Sequence, residues 1–181
     1  MVMSKKRLYL FVIISFLGIG VYCFSTSTPT QQPCAFCNPT VLQRQTFYEE
    51  ELILALYTHK PILPGHCLVI PKRHVERFEQ LTDEEVQQMS RVIKKVNKAA
   101  SKVFGTSSYL LLQKNGLEVG QSVPHVHFHY IPRKTGDSST LSILAKLLLS
   151  NWKSPIPASE MHEIVEKMKE AMASLEKENS V

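Results

Sequence analysis

Three histidines stand on alternate positions in the stretch PHVHFHYIPR: His125, His127 and His129, separated by Val126, Phe128 and Tyr130. The chain of 181 residues has seven histidines in all, so their density here asks for a chemical reason. On a β-strand successive side chains point to opposite faces, which would set these imidazoles in a row about 6.5–7 Å apart. The residues between them would pack the other way. Imidazoles in a row have three uses: a polar face with no further role, a set of metal ligands, or a nucleophile oriented by its neighbours.

The segment upstream bears on that choice. NGLEVGQSVPH supplies Asn115, Gly116, Gly120, Gln121 and Ser122. Glycines let backbone amides approach a charged group closely, and carboxamides and a hydroxyl add neutral polar contacts. That set suits a phosphate. Glu118 is the single carboxylate of the segment, so hydrolysis by a metal held on the histidine row falls behind covalent catalysis. A second motif, CAFC, puts Cys34 and Cys37 at the spacing used for zinc, a disulfide or redox chemistry. No helix start or β-α-β pattern follows it, which disfavours a thioredoxin-like role. Cys67, in an apolar stretch, reads as a packing residue.

The elements that must position these groups are legible in outline. ELILALYT (Glu51–Thr58) and HCLVIP (His66–Pro71) have strand character and are joined by a turn rich in proline and glycine. LTDEEVQQMSRVIKKVNKAASKVF predicts a helix opened by a Thr82–Glu85 capping box, with Val86, Met89, Ile93, Val96, Ala100 and Val103 on one stripe. SSYLLLQK (Ser107–Lys114) and the histidine segment predict an antiparallel hairpin. Two helices follow within residues 140–177, the last from a Ser159 cap. The order implies an α+β fold: helices packed on an antiparallel sheet.

Ahead of this domain, SKKR precedes an uncharged run, Leu8–Phe24. Its length and basic flank predict a hydrophobic helix acting as a signal-anchor or signal peptide (1–24), with a polar tether (25–33) before the domain (34–181). On that expectation the domain is membrane-anchored on the non-cytoplasmic side, or exported if the leader is cleaved. Net charge is +5, but Lys5, Lys6 and Arg7 carry much of the excess. No basic stripe interleaved with aromatics is present, so nucleic acid is not an expected partner.

HVHFHYI fits the alternating signature of the histidine triad, or HIT, nucleotide hydrolases and transferases. The chain resembles that family over roughly Cys34 to Arg133, through LPGHCLVIPKRHVERF as well as NGLEVGQSVPHVHFHYIPR, which makes the match specific. The combination PILPGH, VERF and GQSVPHVHFHYIPRK is similar in particular to the fragile-histidine-triad branch, which cleaves dinucleoside polyphosphates. The resemblance implies His127 as nucleophile on the α-phosphate, through a nucleotidyl-histidine intermediate that releases a nucleoside monophosphate. It implies His129 as a donor to a phosphate oxygen, His125 as a fixer of local geometry and His66 as a supporting histidine. Asn115, Gln121 and Ser122 would contact phosphate and leaving group, without any cofactor required for catalysis. Thr58 stands where the family often has Asp or Asn for the ribose hydroxyls; either Lys114 or Asn115 fills the upstream polar position, and a cationic Lys114 there would favour a more anionic polyphosphate. Some members bind a structural zinc, here through Cys34, Cys37, His74 and His125. A nucleotide or dinucleoside polyphosphate substrate and a homodimer are the implied partners. Two other readings stay open: a low-turnover nucleotide-binding or scaffold module, and a zinc-dependent hydrolase using the histidine row.

Overall fold

The computed structural model describes residues 34–179. A short 3₁₀ turn, Ala35–Cys37, leads into helix α1 (Pro39–Gln45), which has proline in its first turn and Asn38 as its N-cap. Strands β1 (Thr46–Glu49), β2 (Ile53–Tyr57) and β3 (Cys67–Pro71) follow, then helix α2 (Asp83–Phe104), strands β4 (Tyr109–Gln113) and β5 (Phe128–Pro132), and helices α3 (Thr140–Leu148) and α4 (Ala158–Asn179). The sheet has the order β1-β2-β3-β5-β4 and every neighbouring pair is antiparallel. This is the expected α+β architecture, and β4 and β5 form the expected antiparallel pair.

Strands β2 and β3 are buried along their whole length, because both faces of the sheet are covered. On one face Ala55, Tyr57, Cys67, Val69 and Tyr130 pack against Met89, Val92, Val96 and Ala100 of α2 and Met161, Val165 and Met168 of α4. On the other face Leu54, Leu56, Leu68 and Ile70 meet Phe36 and Leu42. The Thr82–Glu85 capping box is present, and Gly105 ends α2 in the left-handed conformation. Val86 falls off the buried stripe and is exposed, its place taken by Val92 and Ala99. Helix α4 begins at Ala158, so Ser159 lies inside it rather than capping it.

The loop between β2 and β3 turns at Gly65, whose φ is +84°. A Cβ built there would lie 2.6 Å from Pro132 Cγ and 2.9 Å from Phe104 Cδ2. Glycine is therefore needed both for conformation and for close approach. The turn is fastened by a hydrogen bond from the Gly65 N–H to the Tyr57 hydroxyl (3.3 Å) and another from the Cys67 thiol to the Gly65 carbonyl (3.2 Å). It delivers His66 to the sheet end.

The membrane expectation is corrected here. Among the described residues no helix is long and apolar enough to cross a membrane. Helix α3 is apolar but has nine residues, about 14 Å of rise against a hydrocarbon core of about 30 Å. Helices α2 and α4, at 22 residues each, are long enough but charged along one side. The hydrophobic helix and tether expected over 1–24 and 25–33 lie outside the described residues. Neither membrane anchoring nor a non-cytoplasmic placement finds support, and both are withdrawn.

Candidate active site

The histidine row does not begin on a strand. Strand β5 starts at Phe128, so His129 is in the ladder, paired opposite Leu68 and Leu112, while His125 and His127 precede it. The approach is shaped by backbone bonds from His125 N–H to the Val123 carbonyl (2.8 Å) and from Val126 N–H to the Val75 carbonyl (2.7 Å). The irregular backbone breaks the expected single row. His125 turns toward the cysteines, whereas the His127 and His129 rings meet edge-on with centroids 4.9 Å apart.

Hydrogen-bond direction assigns a tautomer to each ring. His127 is 4% exposed, and its Nδ1 lies 2.7 Å from the His125 carbonyl oxygen. A carbonyl can only accept, so Nδ1 carries the proton and the lone pair of the neutral ring is on Nε2. The Ile62 N–H donates to His66 Nδ1 (3.4 Å), so His66 carries its proton on Nε2 and donates it to His129 Nδ1 at 2.9 Å. His129 is left with an N–H at Nε2. The site therefore holds a nitrogen lone pair and a nitrogen donor on adjacent rings.

Burial keeps these rings neutral. It is the largest influence lowering the His127 pKa, with the Lys114 ammonium acting the same way and the His125 carbonyl opposing. Burial, then the neighbouring His127 and Lys153, brings His66 down to about 3. Burial, then His66, His127 and Lys114, brings His129 down to about 2.

His66, Thr58, Ser122, His127 and His129 line a cleft of about 1090 Å³ that also reaches α1 and the first turns of α4. Asn115 and Gln121 are not among its lining residues. Asn115 Oδ1 accepts from Phe78 N–H (2.8 Å) and its Nδ2 donates to Glu79 (2.8 Å). Gln121 Oε1 accepts from Gly116 N–H (2.6 Å), while its Nε2 donates to the Glu76 carbonyl (2.8 Å) and, at 3.4 Å, to the His125 carbonyl. Gln121 thus steadies the carbonyl that orients His127. Lys114 donates to the Gly120 carbonyl at 3.3 Å. Residues the sequence reading missed include Phe36, whose ring centroid is 5.3 Å from that of His127, and Gln45, Met161 and His162 along the cleft. Phe36 was signalled by its place inside CAFC, whereas nothing local marks the α4 residues.

Behind the rings lies a second cluster. Cys34 Sγ and Cys37 Sγ are 3.4 and 3.7 Å from His125 Nδ1, and Cys37 Sγ is 3.4 Å from His74 Nδ1. The four donor atoms lie within 4.8 Å of one another. Both cysteines are free thiols rather than a disulfide. His125 Nε2–H donates to the Pro71 carbonyl (2.9 Å), which leaves the Nδ1 lone pair facing the thiols. A tetrahedral zinc bound by sulfur and nitrogen separates those donors by about 3.6 Å. The set fits such an ion, and it takes His125 but not His127 or His129.

A histidine-centred site at the end of a five-stranded antiparallel sheet flanked by helices defines the class of fold. Residues 40–136 match the HIT domain, and the chain belongs to that family. It is 42% identical over 107 residues to the asymmetrical bis(5′-nucleosyl)-tetraphosphatase of Schizosaccharomyces pombe, the match covering 59% of each chain. It is 36% identical over 118 residues to the bifunctional bis(5′-adenosyl)-triphosphatase/adenylylsulfatase of Arabidopsis thaliana, covering 65% of this chain and 66% of that one. The match thus spans about 59% and 66% of those relatives' lengths. These relatives bear out the likeness to the fragile-histidine-triad branch. A solved hypothetical histidine triad nucleotide-binding protein from Sulfolobus tokodaii strain 7 superposes with a TM-score of 0.61 at 26% identity, covering 78% of this chain and 93% of that one.

The buried neutral rings predict a pH signature. The unfolded chain takes up protons below the ordinary histidine pKa of about 6.5, and the folded chain refuses them at His66 and His129 until about 3 and 2. Stability is therefore full above about pH 6.5 and is lost progressively as pH falls through that window. Urea unfolding between about pH 7 and pH 5, above most carboxylate titration, should show a falling midpoint, with a smaller fall in His66→Gln. Equal falls in the two proteins would contradict this account.

Proposed function

We propose that the chain hydrolyses dinucleoside polyphosphates at an α-phosphate, with His127 Nε2 as nucleophile. The observation that carries the reading is the 2.7 Å bond from His127 Nδ1–H to the His125 carbonyl, since it puts the free lone pair on Nε2. Attack forms a P–N bond as the bond to the bridging oxygen breaks, and the nucleoside polyphosphate leaves. The ring then bears a positive charge, which the His125 carbonyl offsets through the Nδ1 proton. Water next attacks the same phosphorus and gives up a proton to solvent, the P–N bond breaks and returns its electron pair to Nε2, and a nucleoside monophosphate departs. His129, with its Nε2–H, is assigned to a non-bridging phosphate oxygen, and His66 holds it in that tautomer. Ser122 and Thr58 line the cleft where phosphate and ribose would lie. The names of the S. pombe and Arabidopsis relatives, a tetraphosphatase and a triphosphatase, support this substrate class. The ammonium of Lys114, which acts on both His127 and His129, supports a preference for the more anionic polyphosphates.

We also propose that Cys34, Cys37, His74 and His125 hold a structural zinc. Bound there, the ion would tie the N-terminal turn to the β3 end without entering the phosphoryl chemistry. The His74 ring has Glu76 within 3.8 Å of its other nitrogen, a carboxylate suited to orienting a ligand histidine. The same strands suggest a homodimer. Strand β4 is a sheet edge with Tyr109 41% and Leu111 38% exposed, an edge a second copy can extend.

Three outcomes are expected. Wild-type protein should turn over diadenosine tetraphosphate and show an acid-labile nucleotide on the protein in rapid-quench samples. His127→Ala should lose at least about 10³-fold in kcat; turnover with no trapped adduct would sink the covalent step. Metal analysis should find one zinc per chain, lost in Cys37→Ser together with thermal stability, while activity of the wild type survives brief chelation. Sedimentation should give a dimer that Leu111→Lys dissociates, and a monomeric wild type would remove the edge-pairing proposal.

A further inference from the structure

A single peptide unit links a cation to the histidines. The Pro61 carbonyl accepts a hydrogen bond from Lys153 Nζ, and the N–H of the same peptide, on Ile62, donates to His66 Nδ1 at 3.4 Å. His66 in turn donates from Nε2 to His129 Nδ1 at 2.9 Å, which leaves an N–H at His129 Nε2. Ammonium, peptide, His66 and His129 thus form one head-to-tail chain, each link donating in the same direction.

Lys153 is brought there by a strap. It follows the 3₁₀ turn Ser150–Trp152 in the connector between α3 and α4. The Ile156 N–H donates to the His59 carbonyl at 2.9 Å, so the connector is fastened to the β2–β3 loop at His59 and again at Pro61. Lys153 is exposed, yet among the described residues its ammonium meets a neutral carbonyl and no carboxylate. It also lies beyond residues 40–136, the segment that matches the HIT domain.

A cation on a peptide oxygen draws electron density out of the amide and makes its N–H a stronger donor. The bond that gains is the long one, from Ile62 to His66. That bond sets the His66 tautomer, because a lone pair must face the Ile62 N–H and the proton then stays on Nε2, where His129 accepts it. The same ammonium acts against a second proton on His66, after burial and His127.

We infer that Lys153 is a positioning residue for His129: its ammonium polarises the Pro61–Ile62 peptide, which holds His66, and through it His129, in the tautomers that present an N–H to phosphate. The inference rests on the phosphate role given to His129 above and adds a residue that acts through the backbone. A donor aimed at the transition state acts on kcat rather than KM, so that is where the loss of Lys153 falls.

The test has two arms. In the first, NMR of ligand-free protein labelled with ¹⁵N-histidine reads the tautomers without substrate. Wild-type His66 should show a protonated Nε2 and a bare Nδ1. In Lys153→Met, which keeps the stem and removes the charge, the two resonances should move toward each other as tautomers mix, while Lys153→Arg keeps the wild-type pattern. In the second arm, Lys153→Met should turn over diadenosine tetraphosphate with kcat about tenfold lower and KM within twofold, and Lys153→Arg should recover to within about threefold. Wild-type His66 protonated on Nδ1 would overturn the inference, and that measurement requires no variant to fold. Wild-type tautomers in a folded Lys153→Met would also overturn it, as would a loss confined to KM, which would put the ammonium on the substrate instead. Wild-type protein that leaves diadenosine tetraphosphate intact would overturn the nucleotide reading and with it the catalytic part of this inference; the tautomer result separates that failure from failure of the relay.

Discussion

The bond between His127 Nδ1 and the His125 carbonyl governs this site, because it decides which nitrogen of a buried imidazole keeps its lone pair. Everything around it secures that carbonyl. Gln121 donates to it from one side. The His125 ring is clamped between the Pro71 carbonyl and the thiols of Cys34 and Cys37. The peptide beyond is held by the bond from Val126 to Val75. In the proposed reaction the His127 ring needs no deprotonation at neutral pH but does need orientation, and these contacts at the sheet end would supply it.

The cluster behind the triad and the cleft in front of it share a wall. Phe36 lies between the two cysteines in sequence, and its ring packs edge-on against both His125 and His127. The same ring belongs to the apolar layer on the outer face of β2 and β3. Packing of the N-terminal turn, seating of the cysteines and placement of the His127 ring are therefore one mechanical problem rather than three.

Much of this was legible in the residues. The alternate histidines, the Thr82–Glu85 capping box and the β4–β5 pairing follow from local pattern, and local pattern decides such features. The part that was not legible depends on tertiary burial. Asn115 and Gln121 have the chemistry of phosphate ligands, but the folded loop turns their polar atoms onto Phe78, Glu79, Gly116 and Glu76. Gln45 looks unremarkable at the end of a short helix, yet the fold buries it on the wall of the cleft that α4 also lines. His125 leaves the expected row because β5 starts three residues after it, and no propensity scale registers that. The anchor expectation rested on a terminal run outside the described residues, and among the described helices none is long and apolar enough to span a bilayer.

Three of the imidazoles are oriented in large part by main-chain groups: His125 by the Pro71 carbonyl, His127 by the His125 carbonyl, and His66 by the Ile62 amide. Such partners have no side chain to lose. Sequence drift at those positions can change packing while leaving the proton on the same nitrogen, so the tautomer is inherited with the chain path itself. Alanine scanning of the surroundings would pass over these contacts in silence, and amide-to-ester replacement in the backbone is the kind of edit that would make them visible.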